Sequence, residues 1–593
     1  MEDLLKRAHA IVAGPVTSFS TWQETSRLAE SLTVEADQAD KLPDSISQLP
    51  REILLRIAEL VKIPSELGFN TMDDDDELGD LTSRTTKELS NSFKRTSIGL
   101  LKLSIPLVRL LPTPSDPPER ETLSFRSILF IAFSSFLQPD SSELFTTSEL
   151  RDLANPIITS LLSPPKIRFP LLLHLLRHPL PIHFKPHPKL NPQTGRVLNR
   201  PLGGSDRGKD EWSEGAMEEE GWKRRAGLGG TVLKVIQSLE MHEVEETWQW
   251  LVPPILAYLD DFATTNKIIG LHLLDALLDK QSPASSFSSP SSLLVRTGVG
   301  KVFEQVQPFS PLFFSRSKPP CSPKTDNLSD PLSVKLQSLA QPISLKLIDT
   351  LYPSSSPSSS KLLLPRTTST STSCSKAKKK STAQERFEAL CRHFSSTTLQ
   401  TWQYKGGNYE LELLQLSFVS SSTTRPRKDE EEVKFGLIPW IRLIGKGSIR
   451  YLEILVPHLT NLVLNNEQEG ESSSTWNKDM LRLRLGATKV LRELSRGDTA
   501  GLRMGRWEGV VSAKVARCWV EVRENKGVEK IRREGTEAER RFVEQMREEL
   551  KGLVRDLRKV EGRGDRDYWK ELEELDPMFE ELVGELEKEP ILA

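Results

Sequence analysis

Short blocks in which leucine and other apolar residues recur every three or four positions run along most of this chain, and no other feature constrains its fold as strongly. Each block can bury only one stripe of a helix, so each needs a neighbour to cover it. The blocks predict helices at Ile53–Val61, Leu89–Leu110, Leu123–Leu137, Leu150–Leu162, Lys166–His178, Thr231–Leu239, Val244–Leu259 and Thr265–Lys280. More follow at Pro331–Leu351, Ala383–Leu399, Gly436–Leu443, Ile449–Leu464 and Met480–Ser495. Alternating strand patterns with Asn-Gly or Asp-Gly turns are missing. Many short amphipathic helices in succession predict an all-α fold, an irregular α-solenoid of helical pairs rather than one compact bundle.

Long polar stretches interrupt the pattern. Pro181–Gly230 mixes proline, glycine and clustered charge, Ser282–Ser292 and Arg316–Ser329 are rich in serine and proline, and Pro353–Ser381 is a serine/threonine tract ending in KAKKK. Ser420–Glu432 carries RPRKDEEE and Asn465–Asn477 reads NNEQEGESSSTWN. None holds enough apolar surface to offset the entropy of ordering it, so long disordered insertions are expected, and loops of a solenoid tolerate them. The expected organisation is an N-terminal helical part (1–180), a flexible linker (181–230), a central helical region (231–352), a Ser/Thr/Lys linker (353–382), C-terminal helices (383–535) and a charged amphipathic α-hairpin (536–593). In that hairpin Phe542, Met546, Leu550, Leu553, Leu557 and Val560 form one stripe, and Leu572, Leu575, Phe579, Leu582 and Leu586 a second. Two such short helices suit a cap on the solenoid or, alternatively, a partner-binding helix.

Composition excludes several classes of function. The chain has 80 basic and 82 acidic residues among 593, so no global charge draws it to nucleic acid or an anionic membrane. Its four cysteines (Cys321, Cys374, Cys391, Cys518) form no CxxC pair, which argues against a disulfide framework and a structural zinc site. The opening MEDLLKRAHAIVAG lacks a cationic segment leading into an apolar signal core, and Ile128–Leu137 and Phe169–Leu176 are too short to span a bilayer. A soluble protein of cytoplasm and nucleus is expected.

Candidate chemistry is sparse. RTGVGKVF (Arg296–Phe303) has a Gly-Lys pair, but Val295 stands where a phosphate loop needs glycine and Val302 where it needs Ser or Thr. GLGGTVLKV (Gly227–Val235) places glycines before a helix without completing G-x-G-x-x-G and reads as a flexible lead-in. His174, His178, His183 and His187 cluster in HLLRHPLPIHFKPH; the first two lie one turn apart, as a zinc pair would, although a helix end followed by a proline-rich loop explains them better. The acidic run MDDDDELGD (Met72–Asp80) and the basic run ending at Lys380 read as solvated linker, with a docking peptide or nuclear signal as the alternatives. No nucleophile elbow or zincin motif occurs, so neither a catalytic group nor a cofactor is expected.

One segment is more specific. In YLDDFATTNKIIGLHLLDALLD (Tyr258–Asp279) a tight turn joins two apolar faces, Val244, Trp248, Leu251, Ile255 and Leu259 before it and Gly270, Leu271, Leu274, Leu277 and Leu278 after it. Asp261 and Lys267, six residues apart, with Pro253 upstream and Gly270 downstream, resemble the turn of a HEAT repeat. Asp260 is expected to face solvent, and Asp261 to cap the second helix at about 1 kcal/mol. A damaged second copy spans Ile438–Ser495, with Pro457 at the bend, Asn465 in place of the acid, and Arg484 and Ala487 as base and small residue.

The longer run WLVPPILAYLDDFATTNKIIGLHLLDALLD followed by LLVRTGVGKVFEQVQPFSPLF resembles the central signature of the Tel-two-interacting protein two family. Asp260, Asp261, Lys267, Gly270, Arg296, Thr297, Gly298 and Phe303 carry that resemblance, which is close over Trp248–Phe313 and looser over Leu100–Ser495. The resemblance implies a non-enzymatic scaffold of the Triple T co-chaperone complex. Its implied partners are two larger α-solenoid proteins, Tel-two and Tel-two-interacting protein one, and through them the ninety-kilodalton heat-shock chaperone and phosphatidylinositol-kinase-related kinases. Another HEAT-type adaptor, in transport or membrane traffic, is the second reading, and an enzyme the third.

Overall fold

A computed structural model describes residues 2–13, 19–38, 48–64, 67, 79–111, 119–139, 145–163, 165–184, 190–191, 193–198, 221–223, 225–261, 263–280, 293–305, 331–352, 382–399, 437–463, 478–496, 506–561 and 568–583. Among these the fold is all-α, without a named strand; the one extended feature is an isolated antiparallel bridge between Leu190 and Val197. Contacts gather the chain into two units, Met1–Pro308 and Phe309–Ala593. The serine-rich insertions, Asn465, Leu586 and most of the acidic run lie outside the described residues.

The first unit holds α1 (Glu2–Ala13), α2 (Phe19–Gln38), α3 (Leu49–Leu60), α4 (Gly79–Arg109), α5 (Arg120–Ser134), α6 (Ser148–Leu162) and α7 (Pro165–Arg177). It continues with α8 (Leu228–Ser238), α9 (Met241–Leu259), α10 (Thr264–Lys280) and two short helices, α11 (Leu293–Thr297) and α12 (Val299–Glu304). Each helix packs on near neighbours in chain order: α1 on α2 and α3, α3 on α4 and α5, α5 on α6 and α7, α8 on α9 and α10. Such nearest-neighbour stacking is what amphipathic repeats produce when every stripe is covered by the next element. The apolar stripes predicted from the sequence are the buried ones; Leu129, Phe133, Ile158, Leu171, Leu175, Val235, Leu251 and Leu274 are all fully enclosed.

Buried hydroxyls are reconciled with these cores locally. Ser104, Thr247 and Thr297 each donate to the carbonyl four residues back, at 2.8, 2.7 and 2.8 Å, so these three hydroxyls are satisfied within their own helices. Prolines lie inside helices at Pro106, Pro156, Pro170, Pro253 and Pro254, each removing a backbone donor from its helix.

The second unit contains α13 (Pro331–Leu351), α14 (Thr382–His393), a π-helical turn (Phe394–Leu399), α15 (Leu437–Ile444) and α16 (Leu452–Val463). After these come α17 (Lys478–Leu494), α18 (Glu508–Glu524), α19 (Lys526–Glu534), α20 (Glu537–Glu561), α21 (Tyr568–Leu575) and α22 (Glu580–Val583). One apolar cluster runs through it from Ile348 to Val583 and encloses Trp440, Trp519 and Trp569. The α20 stripe of Met546, Leu550, Leu553 and Leu557 is buried, against α17 and α18 among others. The second C-terminal stripe is broken: helix α21 ends before Pro577, and Leu575, expected on the apolar face, is 79% exposed.

Candidate functional site around the signature turn

Helix α9 begins with a capping box, in which the Glu243 carboxylate accepts from the Glu240 backbone N–H at 2.7 Å. Arg168 of α7 donates to Ser238 O, Glu240 and Glu243 at 2.6, 2.8 and 2.7 Å and so fixes the α8–α9 corner on α7. At the other end, Asp260 closes α9 by donating its N–H to Leu256 O at 2.9 Å, and its side chain is exposed as expected. Helix α10 starts where Lys267 N–H donates to Ala263 O at 3.1 Å. Pro253 and Pro254 both lie within α9, Pro253 half-buried and Pro254 buried.

Asp261 is buried, and its partners are side chains. Its Oδ1 lies 2.9 Å from Lys223 Nζ, and its Oδ2 accepts from Asn266 Nδ2 at 2.5 Å. Lys267 is buried beside it; burial lowers the pKa of this ammonium below the usual lysine value, with Asp261 and then Asp260 opposing that shift. Acid and base of the turn therefore form one charge cluster, completed by a lysine far upstream in the sequence.

That lysine arrives with an aromatic anchor. Trp222 packs 4.7 Å from the Tyr258 ring and 6.2 Å from Phe184, while Phe184 lies 6.0 Å from Tyr258. Burial raises the Tyr258 phenol above its ordinary value; the Gly229 N–H hydrogen-bonded to it opposes this and Asp261 adds to it. Residues within the stretch read as linker thus belong to the core, Phe184, Leu190 and Trp222 all being buried.

Glycines set the distances. A Cβ on Gly270 would meet the Leu259 backbone N at 2.8 Å, which is how closely α9 and α10 approach. Gly227, at φ +86°, has Ser135 Cβ 2.4 Å from where its own would be, and a Cβ on Gly230 would lie 2.5 Å from Ser134 O. The Gly227–Gly230 run, expected to be a flexible lead-in, is a packing contact instead.

The second signature block lies in α11 and α12. Arg296 is exposed and pairs with Glu245 of α9, Thr297 and Phe303 are buried, and Gly298 takes φ +74° between the two helices. Thr297 O accepts from Val197 N–H at 3.2 Å, and Gly195 sits against Trp248 and Gln249. The block is therefore a junction for α9 and the 190–198 turn. In the second copy, Pro457 lies inside α16, Ala487 is buried, and buried Arg484 donates to Glu521 of α18 at 2.7 Å.

The structure brings Asp260, Asp261, Lys267 and Gly270 together at the α9–α10 turn, ties Arg296 to α9 through Glu245, and sets Thr297 and Gly298 against Val197. Sequence reasoning missed Lys223, Trp222, Tyr258 and Asn266; for Lys223 and Trp222 no periodicity points across the intervening residues. His174 and His178 do stack, with ring centroids 4.6 Å apart, but among the described residues no group of three or more His, Cys, Asp or Glu is placed to hold a metal. No described helix is long and apolar enough to cross a membrane.

No curated protein and no solved structure matches the chain. A family model does, that of the Tti2 family, over residues 129–468, which is more than half of the 593 residues and contains the whole signature. The chain therefore belongs to the Tti2 family.

Proposed function

We propose that this chain is a non-catalytic scaffold of the Triple T co-chaperone complex, supporting assembly and stability of phosphatidylinositol-kinase-related kinases. The observation that carries the reading is the family match over residues 129–468. The all-α architecture, with each helix packed on near neighbours, is compatible with it. The buried charges of the signature support it too, because the Asp261 carboxylate is answered by Lys223 and Lys267 within the chain. The direct partners would be Tel-two and Tel-two-interacting protein one, with the chaperone and kinases reached through them, in cytoplasm and nucleus. Affinity isolation of the tagged chain followed by mass spectrometry should recover both solenoid proteins in comparable amounts. Recovery of neither would overturn the reading.

A further inference from the structure

The aromatic anchor beside the signature turn is tied to the end of α7 by a histidine and an arginine. His183 lies in the turn that follows α7, where its backbone N–H donates to Leu180 O at 3.0 Å. Its ring Nε2 lies 3.2 Å from a terminal nitrogen of Arg225. A guanidinium has only donors, so Nε2 accepts, and the imidazole is neutral with its proton on Nδ1. Arg225 in turn donates its backbone N–H to Trp222 O at 3.3 Å. Trp222 is buried against Phe184 and Tyr258, and Lys223 beside it pairs with Asp261 at 2.9 Å. Trp222, Lys223 and Arg225 thus clasp the signature turn through an aromatic contact, an ion pair and one histidine acceptor. Among the described residues no carboxylate pairs with Arg225.

We propose that His183 and Arg225 are a proton-operated latch, and that protonation of His183 releases Trp222 and Lys223 from Phe184, Tyr258 and Asp261. A protonated ring has two N–H groups and no lone pair, so at 3.2 Å Arg225 loses its acceptor and meets a like charge. His183 is half-buried and within reach of solvent protons. Burial first, then Arg225, lower its pKa below the ordinary imidazole value of 6.5. The elements packed here carry Arg177 and His178 at the end of α7, Lys223 and Arg225 in the clasp, and Asp260 and Asp261 after α9. Of these, Arg225 is the charge that bears on the His183 ring. A released ring takes up its proton at the ordinary value, so the latched form is complete above pH 6.5 and gives way as pH falls below it. Opening uncovers Tyr258, only 3% exposed when latched, and removes Lys223 from Asp261. Acid therefore exposes one side of the signature turn, whichever partners the chain binds.

A single fluorinated tryptophan at position 222 of the full-length chain reports the clasp by fluorine NMR, while circular dichroism follows the helices. Between about pH 7.5 and about pH 5 the buried resonance should lose at least about half its intensity to a solvent-exposed one, with helical content unchanged. His183→Gln, whose amide oxygen accepts from Arg225 at any pH, should hold the buried resonance throughout. Arg225→Glu should reverse the response, because a protonated His183 then faces a carboxylate and acid favours the closed form. A wild-type resonance that does not change over this range, or one that changes equally in His183→Gln, would overturn the latch. Loss of helical signal in step with the resonance would overturn it as well, since the clasp would then have no transition of its own.

Discussion

A carboxylate whose side chain is only 4% exposed needs its charge answered from several directions, and Asp261 has Lys223 at 2.9 Å and Asn266 at 2.5 Å. Removing it takes the carboxylate away from two lysines, one of them buried, so Asp261→Ala should cost about 3 kcal/mol, the scale of a broken buried pair and not the ~1 kcal/mol of a lost cap. Chemical denaturation followed by tryptophan fluorescence measures this; a loss near 1 kcal/mol would mean that the lysines are answered elsewhere. Glycine positions separate in the same assay. Gly270→Ala forces a methyl group onto the Leu259 backbone and should destabilise by about 1–3 kcal/mol. Gly509→Ala, where a Cβ meets nothing within 4 Å on α18, should stabilise by up to about 1 kcal/mol. His393 adds a pH response. It is buried against Trp440, ring centroids 5.5 Å apart, and burial lowers its pKa from 6.5 to about 4. The unfolded chain therefore takes up this proton first as pH falls. The contribution is intact above pH 6.5 and lost progressively toward pH 4, roughly 3 kcal/mol in all. Acid titration of the wild type and of His393→Phe should show the variant losing less stability across that window.

At the scale of elements, helices with a strong apolar stripe were legible: Pro331–Leu351 runs as the spacing predicts, and Leu150–Leu162 and Thr265–Lys280 begin only one or two residues early. Helix α18 was not, because VVSAKVARCWVEV is rich in β-branched residues whose helical preference comes from burial against α16 and α20. Helix α2 escaped for the opposite reason, its sequence FSTWQETSRLAESLTVEADQ being too polar to show a stripe. Within the site, Asp261, Lys267 and Gly270 were legible from their spacing, while Lys223 and Trp222 were not, since the bond to Asp261 depends on tertiary placement. Helix α20 is held to α17 in a way that spacing does not reveal either. Arg492 pairs with Glu549 at 2.8 Å and with Asp556 at 3.1 Å, and Arg496 reaches Asp556 at 2.9 Å. Gly552 leaves the room; its Cβ would lie 2.2 Å from the Arg492 guanidinium carbon. Arg492→Ala should cost about 2–3 kcal/mol and speed amide exchange along α20 before the rest of the second unit. Uniform exchange across the unit would show instead that α20 does not open as a separate element.

At the scale of the molecule, two helical units each bury their own core, and the region matched by the Tti2 family draws on both. A fold of stacked helices owes its stability to contacts between neighbours, which leaves its outer face free to evolve for partners. Among the buried charged groups, Glu243, Asp261, Lys267 and Arg484 are engaged with other charges of the chain, while Arg126 donates to the Leu161 carbonyl. Acute depletion of the chain in cells, followed by time-resolved quantification of newly made phosphatidylinositol-kinase-related kinases, tests the co-chaperone role most directly. The kinases should decay as a group with their messenger levels unchanged, and wild-type chain should restore them. Kinase levels that hold steady through complete depletion would contradict the assignment.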